Sequence, residues 1–277
     1  MHNKQKKIAA ISDLTGFGRC ALSVAMPIVS YMKVQCCPVP TSIFSNHTAY
    51  QEYSFFDCTG QLTDYMAKWK KLNLKFEGIL SGFLGSAAQI DMVIHFVTHF
   101  RTGRTKVIVD PIMGDHGKIY ATYTEEMCDG IRRLVSLADI VTPNLTECCK
   151  LTDVSYKEKN WKKKELHAMA EMLHAMGPEK IVITGIPQGN FIANYIYEYG
   201  KTPRLFRTHK IGADRSGTGD IFASIIAADA VNGVAFERSV KKASNFIKRC
   251  VARSIEMDIP RTDGVCFEEV IHMLKIN

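Results

Sequence analysis

The sequence predicts an α/β fold with a mostly parallel central sheet covered by helices on both faces. Three observations carry this. Short, continuously apolar, β-branched runs recur along the 277 residues, as strands buried on both faces require. Between them lie stretches with apolar residues at helical spacing. The two kinds alternate from end to end, which is the order of βαβ units and not of a sandwich or a bundle.

Residues 8–12 (IAAIS) form the first strand, broken by Gly16 and Gly18, and an apolar stripe from Leu22 to Tyr31 is the first helix. Residues 34–39 form the second strand. Residues 61–72 are helical, 78–80 are a short strand closed by Ser81 and Gly82, and 89–100 are helical. Residues 106–110 (KVIVD) form a strand stopped by an acid and Pro111. A helix over 124–137 leads to the strand 139–142 (DIVT), stopped by Pro143. In 161–176, Leu166, Met169, Met172, Leu173 and Met176 recur at helical spacing, a methionine stripe suited to core packing. Residues 180–184 (KIVIT) are a buried strand ended by Gly185. Residues 191–199 and 205–209 alternate and read as a small antiparallel pair, and 221–231 and 236–255 are long helices. No Pro-, Gly- or Ser-rich linker and no internal repeat divides the chain, so residues 1–277 read as one domain.

Composition narrows the function. The net charge is +7, but its lysines are scattered and no basic stripe is interleaved with stacking aromatics, so no nucleic-acid partner is expected. No run approaches the roughly eighteen apolar residues of a membrane span. The polar segment from Met1 to Lys7 has no apolar region ahead of a cleavage site, so no signal peptide is expected. Nine cysteines include the neighbours Cys36 and Cys37, and Cys148 and Cys149, but no C-x-x-C, which speaks against zinc and thioredoxin-type chemistry. Free thiols and a cytoplasmic setting are expected. His95 and His99 have i,i+4 spacing without further ligands and read as ordinary helix histidines.

In parallel sheets ligands bind outside the carboxyl ends of the strands, so the informative residues follow each strand. Ser216-Gly217-Thr218-Gly219-Asp220 precedes a helix. Its glycines allow close approach, and the helix start directs free N–H groups at an anion. Asp220 in that turn can accept a proton from an attacking hydroxyl, or serve as a plain first-turn acid. Asp110-Pro111-Ile112-Met113-Gly114-Asp115 ends a strand with two acids able to organise a cation near phosphates, or to form a capped turn. In Thr142-Pro143-Asn144-Leu145-Thr146-Glu147, Asn144 and Glu147 have capping-box spacing, while magnesium, held through water, is the functional alternative for Glu147. Residues 44–50 (FSNHTAY) are dense in polar groups, and Ser12-Asp13 leads into Gly16-Phe17-Gly18. That loop lacks the third glycine of a dinucleotide fingerprint, and neither a G-x-x-x-x-G-K-S/T loop nor a G-x-S-x-G elbow occurs.

In this order the segments resemble those of the pyridoxal kinase family of the ribokinase-like superfamily. The family's strand-end serine is matched by Ser12, its F-S-N-H-T by Phe44 to Thr48, and its S-G-Y/F-L-G by Ser81 to Gly85. Its D-P-V/I-M-G-D is matched by Asp110 to Asp115, T-P-N-x-x-E by Thr142 to Glu147, and G-T-G-D by Gly217 to Asp220. The chain departs from some relatives in carrying Phe83 for tyrosine, in its segment 13–22, and in Gly185-Ile186-Pro187 after Thr184.

The resemblance implies ATP-dependent phosphorylation of a B6 vitamer at its 5′-hydroxyl. Asp220 would be the base, with Gly217, Thr218 and Gly219 as the anion hole. Ser12, His47, Thr48 and Phe83 would hold the ring. Asp110, Asp115, Thr142, Asn144 and Glu147 would organise the triphosphate, with Asp110 and Glu147 on Mg2+ and a monovalent cation (K+) nearby. Thr184, Ile211 and Thr218 would contact the nucleotide. A homodimer is implied as well. A hydroxymethylpyrimidine kinase, or a non-catalytic vitamin-binding protein on the same fold, are the alternatives.

Overall fold

The structure is a computed structural model and describes residues 4–274. Met1 to Asn3, in the N-terminal segment expected to carry no signal peptide, lie outside it.

Among the described residues, eleven strands and eight α-helices follow one another. They are β1 (Lys7–Phe17), α1 (Leu22–Tyr31), β2 (Gln35–Asn46), β3 (Phe55–Asp57), α2 (Thr59–Lys71), β4 (Gly78–Ser81) and α3 (Ala87–Phe100). Then come β5 (Lys106–Val109), β6 (Gly114–Asp115), β7 (Lys118–Ile119), α4 (Glu125–Val135), β8 (Ile140–Val141) and α5 (Leu145–Thr152). The chain continues through α6 (Lys163–Met176), β9 (Lys180–Gln188), β10 (Phe191–Glu198), β11 (Arg204–His209), α7 (Thr218–Asn232) and α8 (Phe236–Glu256), and ends in three short 3₁₀ turns.

Nine strands form one sheet in the order β11-β10-β9-β8-β5-β4-β1-β2-β3. The six central strands, β2 to β9, are parallel. Edge strand β3 is antiparallel to β2, and β10 and β11 run antiparallel at the other edge, so the expected antiparallel pair is an extension of the main sheet. A separate hairpin, β6 with β7, has no counterpart in the sequence reading.

The parallel strands sort their side chains by alternation. Ile79, Val107, Val109, Val141, Ile181 and Ile183 face a core closed by α2 to α6. Ile8, Leu80, Ile108, Ile140 and Val182 face a second core closed by α1, α7 and α8. Helix α7 is apolar nearly all round because it is sandwiched: it packs on β4 and β5 beneath and on α1 and α8 beside it. The chain leaves β1 to one side for β2 and returns on the other for β4, so the order switches between β1 and β4, the place in such sheets where ligands bind.

Three expected strand ends move, and the first is that of β2, which runs past Val39 to Asn46. β1 does not stop near Ser12; its pairing with β2 runs on to Phe17 opposite Asn46, with a register shift between Ser12 and Leu14. Asp13 is tolerated because hydroxyls satisfy its carboxylate, and Gly16 lets β2 approach, since a Cβ there would lie 2.8 Å from the Ser45 carbonyl oxygen. β9 likewise passes Gly185, which marks an irregularity opposite β10 and not an end. All nine cysteines are free thiols. No helix among the described residues is long and apolar enough to cross a membrane.

Ile108, fully buried in a central strand, is expected to cost about 2–5 kcal/mol when cut to alanine. Urea unfolding measures this; an unchanged midpoint would contradict the two-core description.

Candidate active site

The carboxyl ends of β5, β8 and β9 and the start of α7 border a cleft of about 980 Å³. Its walls bring together Asp110, Asp115, Thr142, Asn144, Glu147, Thr184, Ile211, Gly217, Thr218, Gly219 and Asp220. These residues are up to 110 apart in the chain and converge because most follow a parallel strand or begin α7, while Thr184 lies within β9 and Ile211 follows the antiparallel β11.

The glycine-rich turn is shaped by sterics. Gly217, the residue before α7, has φ +80°, and a Cβ on it would overlap the carbonyl oxygen of Arg19. Only glycine fits there. No side chain caps α7, so the first amides of the helix are left to face the cleft, together with the positive end of the helix dipole. Thr218 turns its hydroxyl back to the Arg215 carbonyl at 3.2 Å.

Asp220 lies in that first turn. Burial pushes its carboxyl up to about 6; the Ala21 amide pulls it down, and the charge of Asp13 adds to the rise. Gly219 brings α7 close to Asp110, whose Oδ2 lies 4.0 Å from the place a Gly219 Cβ would take. Asp110 is itself buried and accepts the Thr142 hydroxyl at 2.8 Å. Burial raises it above the usual carboxylate range, the Thr142 hydroxyl pulls it back, and the neighbouring Asp220 charge raises it further.

Asn144 and Glu147 form a true capping box. The Asn144 side chain accepts from the Glu147 amide at 3.0 Å, and Glu147 accepts from the Asn144 amide at 2.8 Å. The other Glu147 oxygen accepts from the Met113 amide at 3.3 Å. Burial and then the Asp110 charge raise Glu147 as well. Its capping role and its place in the cleft wall therefore coexist. Asn144 also donates to the Gly114 carbonyl at 2.8 Å, which ties the β6–β7 hairpin to α5.

Two buried, mutually repelling carboxylates are a fit for a divalent cation, which would relieve both. Among the described residues no three His, Cys, Asp or Glu side chains gather into a closed metal site. A cation here would take its remaining ligands from phosphate oxygens and water.

The residues expected to hold a ring lie beside the main cleft. Ser12 lines a small niche of about 20 Å³ with Gly82, Asp110 and Asp220. Phe83 is half-buried, with its ring centroid 6.3 Å from Tyr123. His47 contacts the Thr262 carbonyl through Nε2 at 2.6 Å and accepts the Ala49 amide on Nδ1 at 3.2 Å. Both nitrogens are thus committed to backbone, leaving ring carbons for a ligand. Thr48 is exposed at the turn and is not in the cleft wall, whereas Ala49 is.

Sequence reasoning missed the C-terminal strap. Tyr50 donates to Asp263 at 2.8 Å, Arg19 binds Glu268 at 2.8 Å and the Asp263 carbonyl at 3.0 Å, and Arg215 holds the Ile259 carbonyl at 2.8 Å. Tyr120 and Tyr156 in the cleft wall were missed too. No local pattern marks any of these.

Comparison with known proteins fits this geometry. A family model described as phosphomethylpyrimidine kinase matches residues 29–262. The pyridoxal kinase of Arabidopsis thaliana is 32% identical over 68% of this chain, and the match spans 62% of that enzyme's length. A Bacteroides thetaiotaomicron protein assigned as a phosphomethylpyrimidine kinase is 36% identical and superposes with a TM-score of 0.96, covering 99% of this chain and 95% of its own. Its orthorhombic form with pyridoxal gives 36% identity and a TM-score of 0.94, covering 98% and 96%. The match over residues 29–262 and the shared fold place the chain among the small-molecule kinases of the ribokinase-like superfamily. The chain belongs to the pyridoxal kinase and phosphomethylpyrimidine kinase family of that superfamily.

Folded Asp220 titrates at about 6, an unfolded aspartate at about 4. Between those pH values the folded state holds a proton that the unfolded chain has released, so stability falls as pH rises from about 4 through about 6. Asp220→Asn removes this loss and is expected to be more stable than wild type by about 1–3 kcal/mol at pH 7 and equal to it near pH 4. Urea unfolding at the two pH values checks this; a variant less stable at pH 7 would contradict it.

Proposed function

We propose that this chain is an ATP-dependent kinase that phosphorylates the 5′-hydroxymethyl group of pyridoxal, pyridoxine or pyridoxamine. It would act in the cytoplasm, as one kinase domain over residues 1–277 and as a homodimer. The observation that carries the reading is Asp220: a carboxyl titrating at about 6 beside the uncapped start of α7. A base poised near neutral pH next to an anion site suits the transfer of a phosphoryl group to a hydroxyl.

In this reading the substrate ring lies against Ser12, His47 and Phe83, with Thr48 at the exposed turn outside the cleft wall, and its hydroxymethyl group points at Asp220. Asp220 accepts the hydroxyl proton as the oxygen bonds to the γ-phosphorus and the bond to the ADP oxygen breaks. The turn of Gly217, Thr218 and Gly219 offers N–H groups to the phosphoryl oxygens, so charge meets a preorganised dipole. Thr142, Asn144 and Asp115 position the triphosphate, with Thr184, Ile211 and Thr218 toward the nucleoside. Lys210, Arg215, Lys248 and Arg261 in the cleft wall favour a polyanion. Asp110 and Glu147 would hold Mg2+, directly or through water, with K+ close by; the bound cations supply neutralisation of phosphate charge.

The Arabidopsis relative, a pyridoxal kinase, and the pyridoxal in the Bacteroides crystal support a B6 vitamer. The description of the family model favours a second reading, a hydroxymethylpyrimidine kinase with the same base and anion hole. A binding protein without catalysis has no use for a base so placed.

Pyridoxal, pyridoxine, pyridoxamine and hydroxymethylpyrimidine, each assayed with ATP and Mg2+, separate the readings. A vitamer is expected to be phosphorylated, with kcat/KM rising with pH through about 6 as Asp220 ionises. Asp220→Asn is expected to lower kcat by about 10²–10⁴-fold. Turnover of the pyrimidine alone would replace the substrate, and binding without turnover would remove the kinase.

A further inference from the structure

We propose that Asp13 is a positioning residue that makes the Ser12 hydroxyl a pure hydrogen-bond acceptor toward the substrate, so that the site selects a ring bearing an N–H or O–H donor. The inference rests on the kinase reading above and deepens it.

Protons and lone pairs at Ser12 set what its hydroxyl can bind. Asp13 sits where β1 shifts register against β2, between Ser12 and Leu14, and has no register partner of its own. Such irregularities re-aim side chains beside active sites. Its side chain turns inward and is buried. One carboxylate oxygen accepts the Thr15 hydroxyl at 2.7 Å and the other the Ser12 hydroxyl at 3.2 Å. The Ser12 oxygen meanwhile accepts the Phe83 amide at 3.1 Å.

A serine hydroxyl has one proton and two lone pairs. At Ser12 the proton belongs to Asp13 and one lone pair to Phe83. One lone pair remains, and no donor. The hydroxyl is not covered by its neighbour: a Cβ on Gly82 would lie 2.7 Å from it, and glycine leaves that approach free. It borders the niche shared with Asp110 and Asp220, beside the proposed base. A ligand group meeting Ser12 must therefore bring its own proton. A ring nitrogen carrying hydrogen and a ring hydroxyl both satisfy this, whereas a bare acceptor at that point would face an acceptor.

The test is a double-mutant cycle on Ser12→Ala and Asp13→Ala, with Asp13→Asn as the conservative variant and melting curves to confirm folding. Asp13→Ala is expected to raise KM for the alcohol about tenfold, with the KM for ATP within about twofold, and kcat likewise when assayed well above pH 6, where Asp220 is ionised with or without the Asp13 charge. Asp13→Asn, whose amide oxygen still accepts from Ser12, is expected to recover most of the loss. In the Ser12→Ala background, Asp13→Ala is expected to add nothing. Two substrate analogues, one with carbon in place of the ring nitrogen and one without the ring hydroxyl, identify the donor: the analogue indifferent to Asp13→Ala lacks it. An Asp13→Ala effect of equal size without the Ser12 hydroxyl, or no effect on KM, overturns the inference. Wild type inactive on every vitamer overturns the kinase reading instead; the same cycle is then read as Kd for pyridoxal by calorimetry, with the same two outcomes.

Discussion

Repulsion among buried carboxylates is the constraint on which the cleft depends. Asp110, Glu147 and Asp220 converge in the cleft wall at the carboxyl ends of β5 and β8 and the start of α7, and burial raises all three. A protein interior does not hold such charges together unless something of opposite sign shares the space. Fixed parts of the answer are the start of α7 and the amides of Ala21, Asn144 and Met113. The remainder fits a polyanion that arrives with cations. The cleft is therefore incomplete as a charge system by itself, which is a physical reason for it to bind phosphate and metal together.

Rigidity where the charges sit comes from the sheet and α7. Strands β4 and β5 press on α7 from below, and Gly217 is locked against the Arg19 carbonyl from the side. The strap of residues 259–268 then ties Arg19, His47, Tyr50 and Arg215 into one frame. A turn that must bring amides within reach of a transferring phosphoryl group is fixed by backbone contact, not by side chains that could swing. That suits a reaction in which positioning and electrostatics do most of the catalysis.

Much of this was legible in the sequence. Helices α1, α7 and α8 lie within a few residues of their expected spans because their apolar stripes are long. The central strands were legible from continuous β-branched runs. Cleft residues such as Asp110, Thr142 and Gly217 were found because each directly follows a strand or opens a helix. Strands β3, β6 and β7 have only two or three residues each, too few to show a period. Asp13 looked like a strand end because its burial depends on Ser12 and Thr15, a local exchange of hydrogen bonds that polarity alone does not reveal. The strap was invisible for a different reason: Arg19 and Glu268 are 249 residues apart, and no local pattern encodes such a pairing. Glu147 shows that two readings of one motif need not compete, since the cap holds it in the cleft wall.

The most direct measurement is a crystal structure with ADP, Mg2+, aluminium fluoride and pyridoxine, which mimics the phosphoryl group in flight. The account predicts the pyridoxine 5′-oxygen within about 3 Å of the Asp220 carboxylate, with the fluorides facing the amides at the start of α7. A 5′-oxygen turned away from Asp220, with the fluorides held elsewhere, would contradict it.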